Sequence, residues 1–418
     1  MRNLKQAVIT VGGRGTRLKN LTQECPKPLF PINGISTLER AVRNLSEQNI
    51  LHFILLVNYQ SEKFLETSQI LQNKYDVLID IYREDKIMGE AGGLVEISDK
   101  LDDFFLFLNG DVIFNISLIK LWDFHQRNDS DLTLITHTTN HPEDSDSIIE
   151  SPNLSINKFK LKNETSIEKG FFLGNAGIVI ISKKIVEFVK SKSLNSPLQA
   201  FKDFSIFGHE NKFKVFSYNT SEYIKDMGTE ERFKQVCKDL KDGLVEKRSY
   251  RNKQRVIFLD RDNTLIKCKK GEYINDYKQV NFFHNRIRSL KIISENYDFI
   301  ALITNQPQIA MGYVSWQDVI NLNGEIINEC LDFGLEISCF YLCPHHPHGG
   351  FENEIRNLKT SCFCRKPLPG LVLQASFERN IDLKNSLFIG DSLKDKECAQ
   401  KANIPFKWAH LLESSPQI

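Results

Sequence analysis

The sequence predicts two α/β domains, each built on a doubly wound and mostly parallel sheet. Short apolar runs alternate with helical patterns through the first half of the chain, as in sheets covered by helices on both faces. The apolar run Val256–Leu259 then ends in Asp260 and begins a second alternating series. A chain of 418 residues is long enough for two or three domains, at roughly 100–200 residues each. We expect a first domain over residues 1–244, a linker over 245–255 and a second domain over 256–418.

Composition excludes several classes of protein. The formal net charge of +1 argues against a nucleic-acid or membrane-surface binder, which would carry a basic excess. No apolar run approaches the roughly 18 residues of a membrane-spanning helix, and the first residues show no signal peptide. Nine cysteines, three of them in one short segment, favour reduced thiols and a metal site over disulfides. We therefore expect a cytoplasmic protein that acts on small molecules, and the sequence leaves open whether it forms a homo-oligomer.

The elements of the first domain follow from the spacing of apolar residues. The predicted strands are Phe53–Tyr59, Tyr75–Tyr82 and Leu132–Thr138, and the predicted helices are Thr37–Asn49, Ser61–Lys74 and Ser117–Asn128. His137–Pro152, rich in Ser, Asp and Pro, predicts a mobile surface loop. Glu231–Leu244 has a helical pattern that should end near Gly243, and the polar, basic segment Glu246–Gln254 predicts a solvated linker.

A glycine-rich turn follows the first predicted strand, Ala7–Val11. Such a turn can direct backbone N–H groups at phosphate oxygens, and its arginines add positive charge. The residues expected to bind there are Gly12, Gly13, Gly15, Thr16 and Arg17. Their spacing matches neither a Walker loop nor a Rossmann dinucleotide motif. Further along, Lys27 stands between two prolines that fix the backbone, which suits stabilisation of charge on a transferring phosphoryl group.

These two motifs, G-G-R-G-T-R-L and P-K-P-L, resemble those of the sugar-1-phosphate nucleotidyltransferases. Further segments match that family in its own order: E-A-G-G with Gly92, N-G-D with Asp111, E-K with Lys169, N-A-G-I with Asn175 and K-D-M-G-T with Asp226. The resemblance implies a Rossmann-like domain in which Gly92, Lys169 and Asn175 contact the nucleotide or the sugar phosphate.

The reaction implied by this resemblance joins a sugar phosphate to a nucleotide α-phosphate by in-line displacement between two anions. It needs Mg²⁺ on hard oxygen ligands, for which Asp111 and Asp226 are the candidates. It also needs cations on the non-bridging oxygens, for which Arg17 and Lys27 are the candidates. Either aspartate alone would fit an ordinary turn, so the prediction depends on several motifs occurring in the family's order.

The second domain places polar side chains after successive apolar runs. Asp260 with Asp262, Thr304, and Asp391 each follow such a run, and Lys366 lies in a loop before the last one. Because ligands of open α/β sheets bind at the carboxyl ends of the strands, we expect these side chains to converge. Their order resembles that of the haloacid dehalogenase-like phosphatases, and in particular their D-R-D-G-T branch of heptose bisphosphate and histidinol phosphate phosphatases.

The second resemblance implies a role for each group. Asp260 is the expected nucleophile that forms an aspartyl-phosphate, and Asp262 is the acid that protonates the leaving sugar oxygen and then activates water. Mg²⁺ is expected on Asp260, Asp391 and the main-chain carbonyl of Asp262. Thr304 and Lys366 are expected to bind the transferred phosphoryl oxygens.

Substrate contacts are expected around this centre. Asn305 and Gln306 follow the phosphoryl-binding threonine directly, and Tyr273 lies in K-G-E-Y-I, where the family meets its substrate. Arg365 is expected to hold a distal second phosphate bidentately. Asp395 is expected to orient either the phosphoryl-binding lysine or the metal.

A separate cluster predicts structural zinc. Its expected ligands are Cys343, His345, Cys362 and Cys364, three thiols and an imidazole that make a closed tetrahedral set. The spacing also resembles the zinc loop of the same phosphatase branch. Zinc there would hold in place the loop that carries Arg365. His346 and His348 are the alternatives to His345.

Four residues depart from the phosphatase pattern: Asn263 replaces a glycine, Pro307 a serine, Met311 an arginine and Ser392 a lysine. Asn263 is tolerable because asparagine also adopts the left-handed conformation. The nucleophile, the acid and the metal ligands are intact, so the departures concern substrate preference rather than activity.

The two resemblances together suggest consecutive reactions. The second domain is expected to remove the 7-phosphate of D-glycero-D-manno-heptose 1,7-bisphosphate, and the first to join the resulting 1-phosphate to GTP, giving GDP-heptose and pyrophosphate. The alternatives are a histidinol phosphate or other sugar-phosphate phosphatase, a transferase for another hexose 1-phosphate or nucleotide, and one domain that is a degenerate sugar-nucleotide-binding module.

Overall fold

Two separate sheets form the centres of two α/β units. The computed structural model describes residues 4–12, 25–58, 60–84, 89–138, 146–160, 173–192, 206, 208–269 and 271–412, with the backbone alone for 89–91. Within these residues the first unit has a mixed nine-stranded sheet and the second an all-parallel five-stranded sheet. The predicted fold class is therefore confirmed. No helix in the described ranges is long and apolar enough to cross a membrane.

The first unit is organised around four parallel strands in the order β5-β4-β1-β6. Its strands are β1 (Gln6–Thr10), β2 (Pro31–Ile32), β3 (Ile35–Ser36), β4 (His52–Val57), β5 (Leu78–Arg83), β6 (Phe104–Asn109), β7 (Val112–Asn115), β8 (Leu132–Thr138), β9 (Ser147–Glu150), β10 (Ile156–Lys160), β11 (Leu173–Ser182), β12 (Val215–Asn219) and β13 (Tyr223–Asp226). β11 joins β6 antiparallel and continues the sheet, while β7 and β13 pair with each other apart from it. The carboxyl ends of the four parallel strands therefore share one edge.

Helices cover the faces of this sheet. They are α1 (Thr37–Ser46), α2 (Ser61–Tyr75), α3 (Gly89–Glu96), α4 (Leu118–Arg127), α5 (Lys183–Ser191), α6 (Glu230–Lys241) and α7 (Leu244–Lys247). Three begin at side-chain caps: Ser36 accepts from the Glu39 N–H at 3.1 Å, Ser182 from the Lys184 N–H at 3.4 Å, and Thr229 from the Arg232 N–H at 3.2 Å. The helices predicted to begin near residues 37, 61 and 117 are confirmed.

Two boundaries in the first half were predicted wrongly. Tyr75 belongs to α2 and not to a strand, because the helix continues until Asp76 ends it with a left-handed φ of 52°. The segment His137–Pro152 is not one loop, since it contains the end of β8 and all of β9, where Ile148 is buried. The polar composition of the segment led to a loop prediction, although four of its residues form a short strand.

The second unit is a parallel sheet in the order β16-β15-β14-β17-β18. Its strands are β14 (Val256–Leu259), β15 (Phe299–Asn305), β16 (Cys339–Cys343), β17 (Leu387–Gly390) and β18 (Phe406–Trp408), and its helices are α8 (His284–Ser294), α9 (Trp316–Asp332), α10 (Gly370–Arg379) and α11 (Leu393–Lys401). All four residues of β14 are 0% exposed, as expected of a central parallel strand. Its carboxyl end therefore lies between those of β15 and β17.

The segment between the units is packed and not solely solvated, contrary to the prediction. Tyr250 is 3% exposed, and its hydroxyl accepts a hydrogen bond from Arg379 at the end of α10 at 2.7 Å. Arg379 also donates to the Asn219 Oδ1 of β12 at 2.8 Å. The Tyr250 N–H donates to Glu222 of the first unit at 2.7 Å. A buried polar network thus joins the two units through the connecting segment.

Candidate active sites

Asp111 lies at the carboxyl edge of the first sheet, in the turn between β6 and β7. The turn is tight because a Cβ at Gly110 would lie 2.7 Å from the Thr10 carbonyl oxygen. Lys27, 8% exposed, places its Nζ 2.5 Å from Asp111 Oδ2. The predicted lysine and the predicted metal ligand are therefore in direct contact.

Asp226 reaches the same place from a distant part of the sequence. It pairs with Val112 across the β7–β13 ladder, next to Asp111, and the Met227 N–H donates to the Asp111 carbonyl at 3.2 Å. Arg232, in the first turn of α6, donates from Nη1 to both Asp226 oxygens, at 3.1 and 2.8 Å. The sequence interpretation missed Arg232, although its position six residues after the aspartate in a capped helix was a usable signal.

The donor set fits Mg²⁺. Asp111 and Asp226 are hard oxygen ligands at adjacent positions, and each is paired with a cation that Mg²⁺ would partly replace. Asp111 and Asp226 would hold such an ion, which would offset negative charge on an anionic ligand.

Other predicted residues of this site are only partly described. Gly12 lies at the end of β1, where a Cβ would approach Asn58 Cβ to 2.9 Å, so the residue has to be small. Asn175 Oδ1 accepts from the Gly177 N–H at 3.0 Å and shapes an irregularity in β11. Gly92 is buried within α3 rather than in an open loop. Gly13, Gly15, Thr16, Arg17 and Lys169 lie outside the described residues.

Glu84 is a candidate that the sequence interpretation missed. It follows β5 at the same carboxyl edge, and its Oε1 is buried with no hydrogen-bond partner among the described residues. Burial, with a smaller effect from Glu96, raises the pKa of Glu84 to about 7. A Cβ at Gly93 of α3 would lie 2.5 Å from this oxygen. An unsatisfied buried carboxylate is costly unless a ligand supplies the missing donors.

The second site forms at the carboxyl end of β14. Lys366, 4% exposed, donates from Nζ to Asp260 and to the Ile303 carbonyl at 2.9 Å, and its Nζ forms an ion pair with Asp395 at 2.7 Å. Although burial opposes it, Asp260 and Asp395 raise the pKa of Lys366 above its ordinary value. The lysine is therefore a fixed cation beside the predicted nucleophile, Asp260.

This site has an excess of negative charge. Asp260, Asp391 and Asp395 offer carboxylate oxygens within 4.8 Å of one another, against the single buried ammonium of Lys366. Burial and Asp395 raise the pKa of both Asp260 and Asp391. Three crowded carboxylates fit a divalent cation such as Mg²⁺. Asp260 and Asp391 would hold the ion, while Asp395 would remain paired with Lys366.

Asp262 is oriented away from that cluster. Arg261, 1% exposed, donates to it from Nε and Nη2 at 2.9–3.1 Å, and Gln306 Nε2 donates to Oδ2 at 3.1 Å. Gln306 also donates to Thr304 Oγ1 at 2.7 Å. Because Gln306 is 0% exposed, it positions the acid and the threonine instead of facing substrate.

Asn305, like Gln306, holds neighbouring groups of the site in place. Its side-chain amide donates to the Lys366 carbonyl and accepts from the Lys366 N–H, both at 3.1 Å, so it fixes the backbone at Lys366.

Asn263 has a φ of +55°, which confirms the left-handed conformation expected of it. Tyr273 and Arg365 are half-buried and close enough for Arg365 to oppose the rise that burial causes in the pKa of Tyr273. The two side chains therefore lie near each other.

The predicted zinc ligands come together. Sulfur–sulfur distances among Cys343, Cys362 and Cys364 are 3.2–3.5 Å, and His345 Nδ1 lies 3.2 Å from Cys364 Sγ and 3.6 Å from Cys343 Sγ. Hydrogen bonding from Cys364 lowers the pKa of Cys343 to about 5. A tetrahedral set of soft donors at this spacing fits Zn²⁺, for which sulfur–sulfur separations of about 3.8 Å are expected.

The cluster of Cys343, His345, Cys362 and Cys364 is directly connected to the segment that carries Arg365 and Lys366. Arg365 Nη1 donates to the His345 carbonyl at 3.0 Å, and Lys366 follows it in the chain. His346 instead contacts His348, accepting from the His348 N–H at 3.2 Å. His345 is therefore the histidine that the described geometry places with the three thiols.

The two sites define an enzyme with a nucleotidyltransferase domain followed by a phosphatase domain. The chain belongs to the nucleotidyl transferase family, whose profile matches residues 6–241, and through its second unit to the family of the D-glycero-β-D-manno-heptose-1,7-bisphosphate 7-phosphatase of Yersinia pestis. That relative is 35% identical over 151 residues, which are 36% of this chain and 77% of the relative. A polynucleotide kinase 3 phosphatase profile also matches residues 255–409.

Relatives of the first unit are nucleotidyltransferases. The mannose-1-phosphate guanyltransferase of Yarrowia lipolytica is 29% identical over 235 residues, which are 54% of this chain and 62% of that protein. A Bacillus anthracis structure assigned as a glucose-1-phosphate thymidylyltransferase superposes with a TM-score of 0.50 at 17% identity, covering 57% of this chain and 95% of that one. This last likeness supports the fold of the first unit alone.

Proposed function

We propose that the chain makes GDP-heptose in two steps. Residues 256–418 remove the 7-phosphate of D-glycero-D-manno-heptose 1,7-bisphosphate, and residues 1–244 transfer GMP from GTP to the resulting 1-phosphate, releasing pyrophosphate. The observation that carries the proposal is a complete Asp260–Lys366 centre in the same chain as the Lys27–Asp111 centre. The 7-phosphatase relative supports the sugar, and the guanyltransferase relative supports the nucleotide.

The phosphatase step follows from the charges around Asp260. Its carboxylate attacks the phosphorus and forms an aspartyl-phosphate, while Lys366 and Thr304 bind the transferred oxygens. Asp262, held by Arg261 and Gln306, donates a proton to the leaving sugar oxygen and then takes one from water. Asp260, Asp391 and the Asp262 carbonyl would hold Mg²⁺, which would supply the charge neutralisation needed for two anions to approach.

The transferase step requires the sugar phosphate to attack the nucleotide α-phosphate. Lys27 and Arg232, which pair with Asp111 and Asp226, are the cations proposed to contact the phosphate oxygens, and the two aspartates would hold Mg²⁺. Gly12, Gly13, Gly15, Thr16 and Arg17 are proposed for the nucleotide phosphates, and Gly92, Lys169 and Asn175 for the nucleotide or sugar. These assignments follow from their motifs.

Glu84 supports guanine as the base. The guanine edge carries two neighbouring donors, N1–H and the exocyclic amine, which one carboxylate accepts together. Glu84 offers a buried carboxylate with an unsatisfied oxygen beside α3, at the sheet edge that Gly12 and Asp111 share. Uracil and thymine present one ring N–H between two acceptors, so they would satisfy such a carboxylate less well.

The zinc cluster is proposed as structural. It has four protein ligands and no open position, so it would order the loop of Arg365 and Lys366 and not activate water. Tyr273 and Arg365 are proposed to contact the distal part of the sugar bisphosphate. The cytoplasmic location and a homo-oligomeric state stay predictions.

A substrate panel tests the proposal. The purified chain with Mg²⁺ is assayed for phosphate release from heptose 1,7-bisphosphate (both anomers), histidinol phosphate and hexose bisphosphates. It is assayed for pyrophosphate release from each sugar 1-phosphate with GTP, ATP, CTP or UTP. We expect the highest kcat/KM for the heptose bisphosphate and for heptose 1-phosphate with GTP. Preference for histidinol phosphate or for another nucleotide would contradict the corresponding half, and binding without turnover would indicate a degenerate domain.

A further inference from the structure

A cavity of about 260 Å³ lies in the first unit, and its lining residues include none of those described for the two candidate active sites. Its walls come from α1, β7, the end of α6, α7 and the segment that follows α7. Three arginines line it, Arg40 and Arg43 from α1 and Arg251 from the connecting segment, together with the side-chain amides of Asn44, Asn115 and Asn252. The lining is therefore polar and rich in hydrogen-bond donors.

The arginines are incompletely satisfied. Arg251 pairs with Glu47 at 3.1 Å, whereas Arg43 has no carboxylate within 4.0 Å among the described residues. Arg40 donates from Nη2 to the Ile32 carbonyl at 2.8 Å, but its buried Nε has no acceptor in the part of the chain that the structure describes. Three guanidinium groups thus face the two carboxylates of Glu47 and Glu246, which leaves an excess positive charge.

Holding three guanidinium groups close together is unfavourable in free energy, because like charges repel. Burial and the neighbouring Arg43 lower the pKa of Arg40. An anion in the cavity would remove the repulsion and supply acceptors. Guanidinium groups suit phosphate in particular, because their planar donors bind two of its oxygens at once.

We propose that this cavity binds a small phosphate-bearing anion, orthophosphate or pyrophosphate. The ligand would connect α1 to the segment after α7 through Arg43 and Arg251. It would also lie against β7, the strand that starts directly after Asp111 and pairs with β13. The binding claim depends on the cavity residues alone. Orthophosphate and pyrophosphate are also the products of the two proposed reactions, and this further statement rests on the proposed function.

Calorimetry on the full chain without added Mg²⁺ tests the proposal, with orthophosphate and pyrophosphate as separate ligands and sulfate as a third. We expect the wild type to bind at least one of the phosphates, and Arg43→Gln and Arg251→Gln each to weaken that binding at least ten-fold. Arg127→Gln is the matched control, since this arginine is exposed on α4 and pairs with Asp123. Tighter binding of one phosphate over the other identifies which product the cavity accepts.

Binding that is equal in the wild type and both cavity variants would place the anion elsewhere and overturn the proposal, as would no binding of either anion. Arg43→Lys guards against a folding artefact, because it keeps the charge and removes the planar donors. We expect it to bind two- to five-fold more weakly than wild type, with an unchanged melting temperature in the absence of ligand. If Arg43→Lys keeps the wild-type melting temperature but binds the anion as weakly as Arg43→Gln, the planar guanidinium is required and the proposal is supported. If Arg43→Lys binds the anion as tightly as the wild type, recognition by the guanidinium is contradicted.

Discussion

At the scale of single residues, Lys366 connects the parts of the phosphatase centre. It contacts Asp260, Asp395 and the end of β15, and Asn305 fixes its backbone on both sides. Although burial opposes it, the neighbouring carboxylates raise the pKa of Lys366, which keeps the ammonium charged in the role proposed for it, binding the phosphoryl oxygens.

We therefore expect Lys366→Met to lower phosphatase kcat by roughly 10²–10³-fold, as for the loss of one charge-stabilising donor. Transfer of GMP to a supplied sugar 1-phosphate should be unchanged. Lys359→Met is the matched control, because Lys359 pairs with Glu354 outside the centre. Phosphate-release kinetics measure the first effect, and a loss below ten-fold would show that Lys366 does not contact the transferred group.

The unsatisfied carboxylate of Glu84 gives a second prediction. In Glu84→Gln the amide offers guanine one acceptor and one donor, so the KM for GTP should rise by about 10–100-fold, the equivalent of one lost charged hydrogen bond. The KM for the sugar phosphate should change little. Glu96→Gln is the neighbouring control, since Glu96 is exposed. Unchanged selectivity among the four nucleotides in Glu84→Gln would exclude base recognition by this residue.

Some of these residues could be predicted and others could not. Asp260, Asp391 and Asp111 each follow an apolar run, so their place at a sheet edge follows from local sequence. Glu84 also follows a strand, but its importance comes from burial beside α3 and from a missing partner, which only the folded structure reveals. Arg232 could have been predicted, because it follows Asp226 by only six residues, in the first turn of a helix that Thr229 caps.

At the scale of elements, two pairs of segments form the sites. The β7–β13 ladder brings Asp226 beside Asp111 across more than a hundred residues, and no local pattern encodes that register. The loop between β16 and α10 is closed by the Cys/His cluster, in which Cys343 and His345 from its start meet Cys362 and Cys364, two residues before Lys366. Cysteine spacing did predict this cluster, because metal ligands impose a chemical pattern that is independent of packing.

The zinc loop should therefore control phosphatase activity alone. We expect Cys362→Ser to lose bound zinc and to lower phosphatase kcat/KM by at least ten-fold, because Arg365 and Lys366 are no longer held. Transferase activity should remain. Elemental analysis of the purified wild type should give about one zinc per chain. Cys237→Ser in the first unit is the control, and full phosphatase activity in a zinc-free Cys362→Ser chain would contradict the structural role.

At the scale of the whole molecule, the units share a buried polar interface. Arg379 of the phosphatase side bonds to Tyr250 of the connecting segment and Asn219 of the transferase side, and Glu222 accepts from the Tyr250 and Ser117 N–H groups. Composition predicted a solvated segment here because Glu246–Gln254 is polar. Its charged residues are largely exposed, but Ser249, Tyr250 and Gln254 are buried and form hydrogen bonds there, which a count of charges does not show.

This interface gives stability a pH dependence. Burial raises the pKa of Glu222 from an ordinary 4.5 to about 8. A raised folded-state pKa means that its stabilisation is complete below about pH 4.5 and is lost as the pH rises toward 8. Between pH 6 and pH 8 the wild type should lose on the order of 2 kcal/mol from this group, at about 1.4 kcal/mol per pKa unit. Urea midpoints of the wild type and Glu222→Gln should diverge over that range, with the variant flatter, and parallel curves would contradict this account.

The central claim is that two independent centres act in sequence in one chain. The decisive measurement supplies heptose 1,7-bisphosphate, GTP and Mg²⁺ to the wild type, to Asp260→Asn and to Asp111→Asn, and quantifies GDP-heptose, phosphate and pyrophosphate. The wild type should form all three products. Asp260→Asn should form none from the bisphosphate but should make GDP-heptose from supplied heptose 1-phosphate, while Asp111→Asn should release phosphate alone. Loss of both activities in either variant, or no GDP-heptose from the wild type, would contradict the account.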